Sequence, residues 1–137
     1  MKFNNILVVL NPENGKQYAL ARAVRLAQEQ KSPNPVNITL FLAIYDLSYE
    51  MSALLSSEER TEMRHNVIEQ RKLAIQPYIE KYASDGIKFS STVVWHSNEA
   101  EAITREVETH NYDLVVKYTK AEESLKSLIV TPVDWQI

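Results

Sequence analysis

Three histidines, His65, His96 and His110, are the side chains of this 137-residue chain best suited to proton transfer or metal ligation near neutral pH. No two of them stand four residues apart, the spacing that puts a pair of ligands on one helix face. Each is therefore expected to be structural or exposed, and no metal site is expected. His110 falls where a helix should stop, a place where a cation complements the helix dipole. His96 follows a strand, at the carboxyl edge where α/β sheets gather ligands. Asp46 ends another strand at the same edge. With Asn11 these two could line one crevice, and an Asp beside a His can exchange protons. The competing role for Asp46 is to cap the loop that follows it through that loop's own backbone, and this is the expected one. No catalytic residue is expected.

Several chemistries are excluded by composition. The chain has no cysteine, so disulfides, thiolate metal sites and a cysteine nucleophile are ruled out; this suits a reducing compartment. Its two glycines, Gly15 and Gly86, are too far apart to share a loop. A dinucleotide fingerprint needs three clustered glycines and a Walker loop two, so neither exists here. A serine nucleophile elbow is excluded on the same ground. The net charge of -3 leaves no electrostatic footprint for nucleic acid over the whole chain. No uncharged apolar run reaches the ~18 residues of a membrane span, and Ile6 to Leu10 is too short for a signal-peptide core. The chain reads as soluble and cytosolic. With 45% hydrophobic and 24% charged residues it has the composition of a globular domain rather than of a disordered one.

The elements that would position these residues follow from periodicity. Ile6 to Leu10 is uninterrupted and apolar, the pattern of a strand buried on both faces. Asn11 to Gly15 is a turn, and a helix is predicted from about Lys16 to Gln30, with Leu20, Ala23, Val24 and Ala27 on one face. A second strand is predicted from Val36 to Tyr45. An irregular, apolar-rich stretch runs to Leu55, and Ser56 with Glu59 forms a capping box that starts a long helix. Pro77 inside that helix predicts a kink or break near 73–77, and Asp85-Gly86 a stop. Lys88 to Trp95 reads as a third strand, polar enough for a sheet edge. Asn98 starts a short helix that ends at His110 and Asn111, and Tyr112 to Lys117 is a fourth strand. Strand and helix in alternation predict an α/β, Rossmann-like fold: a parallel sheet with right-handed crossovers and helices on both faces.

The last part of the chain reads differently. Ala121, Leu125, Leu128 and Ile129 have the spacing of a short amphipathic helix, and Thr131, Pro132 and Asp134 stand as N-cap, first and third residues of another. A helix start this near the last residue is read as a domain truncated at its C-terminus, its fifth strand missing. An open edge on the fourth strand would then favour self-association as a symmetric homodimer, through that edge or the apolar surface of 121–130.

The opening ILVVLNPE, the pattern AEAI after the third strand, the strand YDLVVK and the Thr-initiated last helix resemble the universal stress protein family. YDLSYEMSALLSSEER, VVWH and TPVDW are similar, more narrowly, to the N-terminal half of a tandem member with two such domains. The resemblance covers nearly the whole chain. It implies strands in the order 3-2-1-4-5, a cytoplasmic location, a role in stress survival including resistance to DNA-damaging agents, and a second domain of the same kind as partner.

The family's nucleotide-binding members carry a phosphate motif of glycine, two residues, glycine, nine residues, glycine, then Ser or Thr. On this sequence its positions fall on Lys117, Lys120, Val130 and Thr131, so the hydroxyl is kept and every glycine is replaced. Glycine lets backbone N–H groups approach phosphate oxygens closely, and Lys or Val side chains crowd that approach. The aspartate that many members carry after the first strand is Asn11 here. The resemblance therefore implies a degenerate nucleotide site at Asn11, Lys117, Lys120 and Thr131. The expected function is a non-catalytic stress-response domain with no cofactor and ATP disfavoured. The alternative is an ATP-binding domain with slow hydrolysis or phosphate transfer. Tyr45, Tyr49, Met51, Leu54, Leu55, Tyr78 and Tyr82 exceed what a surface connection needs; packing on the sheet is the expected role, a pocket or partner face the other.

Overall fold

A computed structural model describes residues 2–11, 16–30, 33–120 and 126–132, and the side chains as far as residue 118. The strands are β1 (Asn5–Val9), β2 (Val36–Ile44), β3 (Ile87–Trp95), β4 (Leu114–Lys120) and β5 (Lys126–Pro132). The helices are α1 (Tyr18–Glu29), α2 (Leu47–Glu50), α3 (Ser57–Tyr82) and α4 (Glu99–Thr109). The sheet order is β3-β2-β1-β4-β5, with β1 to β4 parallel and β5 antiparallel to β4. The fold is thus the α/β parallel sheet that the alternation of elements predicts.

Alternation along each strand sorts the apolar residues into two layers. Ile6, Val8, Ile38, Leu40, Leu114 and Val116 face α1 and α3, where Leu20, Ala23, Val24 and Ile75 meet them. Leu7 and Phe41 face the opposite way, against Ala102 of α4. Helices therefore cover both faces, and β1 is buried from Ile6 to Val9 because it is central as well as sandwiched. Two side-chain clamps hold its start: Asp113 accepts from the N–H groups of Asn4 and Asn5 at 3.0 Å each, and Gln30 bonds both backbone groups of Phe3. β3 lies at the edge, and its outward Ser90 bonds Thr39 across the pair at 3.0 Å.

The capping box at Ser56 and Glu59 is formed, with both reciprocal bonds present. Pro77 does not break α3, which runs unbroken from Ser57 to Tyr82. The carbonyl that proline cannot satisfy belongs to Leu73, a residue 75% exposed, so water can take the missing bond. Gly86 sits between α3 and β3 at φ +86°, with nothing within 4 Å of where a Cβ would stand. Replacing it with Ala costs backbone strain alone. Gly86→Ala is expected to lower stability by about 1–2 kcal/mol in urea unfolding, with no change in the slope of the transition.

The sequence expectation fails after β4. Residues 126–132 form a strand, not the end of an amphipathic helix, and Thr131 pairs with Val115 rather than capping a helix. Ile129, Val130 and Thr131 are β-branched in succession, which favours extended chain over helix. Pro132 lies on β5, an edge strand of the sheet, the place where strands tolerate proline. The parallel sheet therefore has four strands, and the place beside β4 where the resemblance implies a parallel fifth is taken by this antiparallel return. Of the two routes expected for a homodimer, the open β4 edge does not exist, because β5 pairs along its whole length, and the surface of 121–130 falls partly outside the described residues. The helix-start residues after Pro132 lie outside the described residues. Among the described residues no helix is long and apolar enough to cross a membrane.

Candidate functional site

In a sheet of this order the chain reverses direction of build-up between β1 and β4, and ligands gather in the crevice at the carboxyl ends of those two strands. Val9, Leu10 and Asn11 supply one wall, Lys117 and Tyr118 the other, and Glu99 at the first turn of α4 closes the end. The structure thus brings Asn11 and Lys117 together. It places Lys120 at the end of β4, opposite Lys126, and Thr131 back along β5 beside Val115, so these positions lie on two antiparallel strands.

The electrostatics of the crevice are settled by a residue that the sequence reading did not pick out. Lys117 Nζ lies 2.5 Å from Glu99 Oε1, and the ammonium is neutralised where it would otherwise meet an anion. Glu99 could have been found from the topology alone, since α4 must begin at the edge where β4 ends. Asn11 is held by its backbone: Gln17 Oε1 accepts from its N–H at 2.8 Å, and Gln17 Nε2 donates to its carbonyl at 2.7 Å. The cavity left between the strands is about 120 Å³. Sites for drug-sized ligands start at roughly 300 Å³.

Asp46 and His96 are not joined. Asp46 accepts at Oδ1 from the N–H of Ser48 at 2.9 Å and also from its hydroxyl, which makes it the N-cap of α2. The Ser48 hydroxyl is the main reason its carboxyl sits below the usual carboxylate range. His96 accepts at Nδ1 from the N–H of Asn98 at 2.9 Å and turns Nε2 toward Glu101, 3.9 Å away. Each side chain is used locally, and among the described residues no hydrogen bond or ion pair links the two. His65 is exposed on α3, and His110 closes α4 as its C-cap, with Nδ1 3.3 Å from Glu106. Among the described residues no group of His, Cys, Asp or Glu is gathered to hold a metal ion.

The apolar stretch after β2 divides. Tyr78 and Tyr82 pack against the core as expected. Tyr45 is part-exposed with its ring 5.7 Å from that of Trp95 in β3, while Leu47, Tyr49, Met51 and Leu54 stay exposed, Met51 at 74% and Leu54 at 92%, so packing on the sheet does not account for those four. The segment is held by charge instead. Arg64 grips the Glu50 carboxylate through Nε and a terminal nitrogen at 2.5 and 2.6 Å, and Arg60 donates to the Glu50 carbonyl at 3.0 Å. The Arg64 guanidinium holds the Glu50 carboxyl below its usual range.

Comparison with known proteins places this architecture. The universal stress protein family model matches residues 2–137. The chain belongs to the universal stress protein family. Among its relatives in that family, the universal stress protein E homolog of Haemophilus influenzae is 66% identical over 137 residues, which are 100% of this chain and 44% of the relative. Universal stress protein E of Photorhabdus laumondii is 45% identical, and that of Escherichia coli K12 42% identical, each over 98% of this chain and 42% of the relative. The chain spans less than half the length of the curated relatives it matches. A solved structure of the hypothetical protein MJ0577 superposes with a TM-score of 0.59 at 16% identity, over 82% of this chain and 71% of that one, and shows the same fold.

Proposed function

We propose that this universal stress protein domain is a non-catalytic, stress-response binding domain whose nucleotide crevice is degenerate. The observation that carries the reading is the Lys117–Glu99 ion pair across the mouth of the β1–β4 crevice. A phosphate entering there meets a carboxylate and a lysine already partnered, in place of the open backbone that glycines would offer. In the tandem arrangement of the longer relatives, a second domain of the same kind is the natural partner. Service in stress survival, including resistance to DNA-damaging agents, follows from the resemblance to universal stress protein E.

Titration with ATP and magnesium, followed by thermal melting, tests this reading. A ligand at 100 times its dissociation constant adds about 2.7 kcal/mol to stability. The expected result is no shift in melting temperature at roughly millimolar ATP, a concentration that would saturate any site with a dissociation constant in the micromolar range. A clear shift would overturn the reading in favour of an ATP-binding domain with slow hydrolysis. In that case Glu99→Gln, by freeing Lys117, should enlarge the shift.

A further inference from the structure

The connection from β2 to α3 turns apolar side chains outward. Leu47, Met51 and Leu54 are exposed, Leu54 almost entirely. The Met51 N–H donates to the Leu47 carbonyl, so these two residues stand one helical turn apart on the same side. Leu54 leads into Leu55, which with Met63 of α3 gives an apolar lining to a groove of about 240 Å³. Single exposed leucines are ordinary on a surface; a run of them continuous with an apolar groove marks an interaction site.

The connection is held in one shape. Arg64 grips the Glu50 carboxylate and Arg60 donates to the Glu50 carbonyl, which fixes its middle. Asp46 caps its first turn, and the capping box of Ser56 and Glu59 fixes its end. An apolar surface ordered in advance loses little freedom when a partner covers it.

The charge beside this surface has one sign. Glu59 and Glu62 line the groove, and no cation does. Glu58 is exposed in the same first turn of α3. The Ser56 N–H, first among its causes, holds the Glu59 carboxyl below the usual range, so Glu59 stays an anion. Arg60 and Arg64 are turned to Glu50. A partner must therefore bring an apolar stripe flanked by cations. Residues 47–54 are helix and turn and offer no strand edge to an extended chain, so a helix, whose backbone groups are paired internally, fits best. Methionine and leucine adapt to such a stripe. We propose that the surface of Leu47, Met51 and Leu54, with the groove of Leu55, Glu62 and Met63, docks a basic amphipathic helix of a partner protein.

The test uses a fluorescein-labelled peptide of about 18 residues, Leu and Lys only, with Leu at the spacing of one helix face. Beside it run a peptide with Glu for every Lys and one of the same composition with the spacing scrambled. Binding to the intact chain is followed by fluorescence anisotropy, and its place by backbone amide NMR shifts. The expected result is saturable binding of the patterned basic peptide at about 10 μM or tighter, with shifts centred on Met51, Leu54 and Met63. The two control peptides bind at least about tenfold more weakly, which is 1.4 kcal/mol. Met51→Ser/Leu54→Ser and, separately, Glu58→Gln/Glu62→Gln each weaken binding at least about tenfold. The second pair also flattens its salt dependence. All four residues are exposed, so both variants should melt close to the parent. No saturable binding up to about 1 mM, equal binding of the acidic peptide, or full affinity in either double variant would each overturn the proposal. So would adsorption of the chain to phosphatidylcholine vesicles that Met51→Ser/Leu54→Ser abolishes, which would make the surface a lipid-binding one. The surface shares no residue with the β1–β4 crevice, so failure of the peptide titration is distinguishable from failure of the ATP titration.

Discussion

Phe41→Ala is expected to cost about 3–5 kcal/mol, in the range for emptying a buried aromatic site. Phe41 is fully buried, on the face of β2 that packs against Leu7 and Ala102. That layer is thin: the other apolar residues around it are only partly buried, so little is at hand to fill the space. In urea at neutral pH the midpoint should fall sharply with the slope unchanged. Leu54→Ala removes as apolar a side chain from a site 92% exposed and should shift stability by no more than about 0.5 kcal/mol. Equal effects from the two would mean that the α4 face is not a packed layer.

The contrast between those leucine and phenylalanine sites marks what could be read from sequence. Ile6 to Leu10 announced a central strand because a run apolar on both sides has nowhere else to go. Ser56 and Asn98 located helix starts to the residue, because a cap is a local hydrogen bond that needs no partner from afar. The β5 segment is not legible as a strand, because Ala121, Leu125, Leu128 and Ile129 satisfy a helical spacing and only pairing with β4 decides for the strand. Tyr45 to Leu54 looked like core by composition; which residues a short segment buries depends on the neighbours that Arg60 and Arg64 choose for it. At the crevice, Asn11 is legible from its position after the first strand and Lys117 only through the motif that the resemblance implies, whereas the charge that cancels Lys117 comes from α4.

Tyr112→Phe is the second substitution with a large expected effect. Glu106 is a charged residue only 8% exposed, and the Tyr112 hydroxyl donates to its Oε2 at 2.6 Å. Phenylalanine keeps the ring and leaves the carboxylate short of a donor, which is expected to cost about 1–3 kcal/mol at pH 7. Burial first, and the Glu106 carboxylate second, push the Tyr112 phenol up to about 12. A folded-state pKa above the ordinary 10 means that the folded protein favours the protonated phenol. The stabilisation is complete below pH 10 and is lost as the pH rises toward 12. For a buried group a rise of that size would be worth about 2.7 kcal/mol; Tyr112 is only partly buried, and solvent screening brings it to about 1 kcal/mol. Melting temperatures measured from pH 8 upward should show the parent losing this increment between pH 10 and 12, and Tyr112→Phe should lack it. Parallel alkaline decline in both proteins would remove Tyr112 from the account.

Asn5–Val9 is made before both strands that flank it and yet lies in the middle of the sheet, so its two sides are closed at very different times. Val36–Ile44 can pair with it after one short crossover. The strand for its other side begins at Leu114, and the Asn5–Asp113 bond that secures the junction spans 108 residues. Synthesis at about 5–20 residues per second leaves that side of an apolar strand open for several seconds. Contacts of such long range also slow folding after release, because loop closure must be completed before they contribute. The same placement that buries Ile6, Leu7 and Val8 completely in the finished fold leaves one side of an apolar strand uncovered on the nascent chain until β4 emerges.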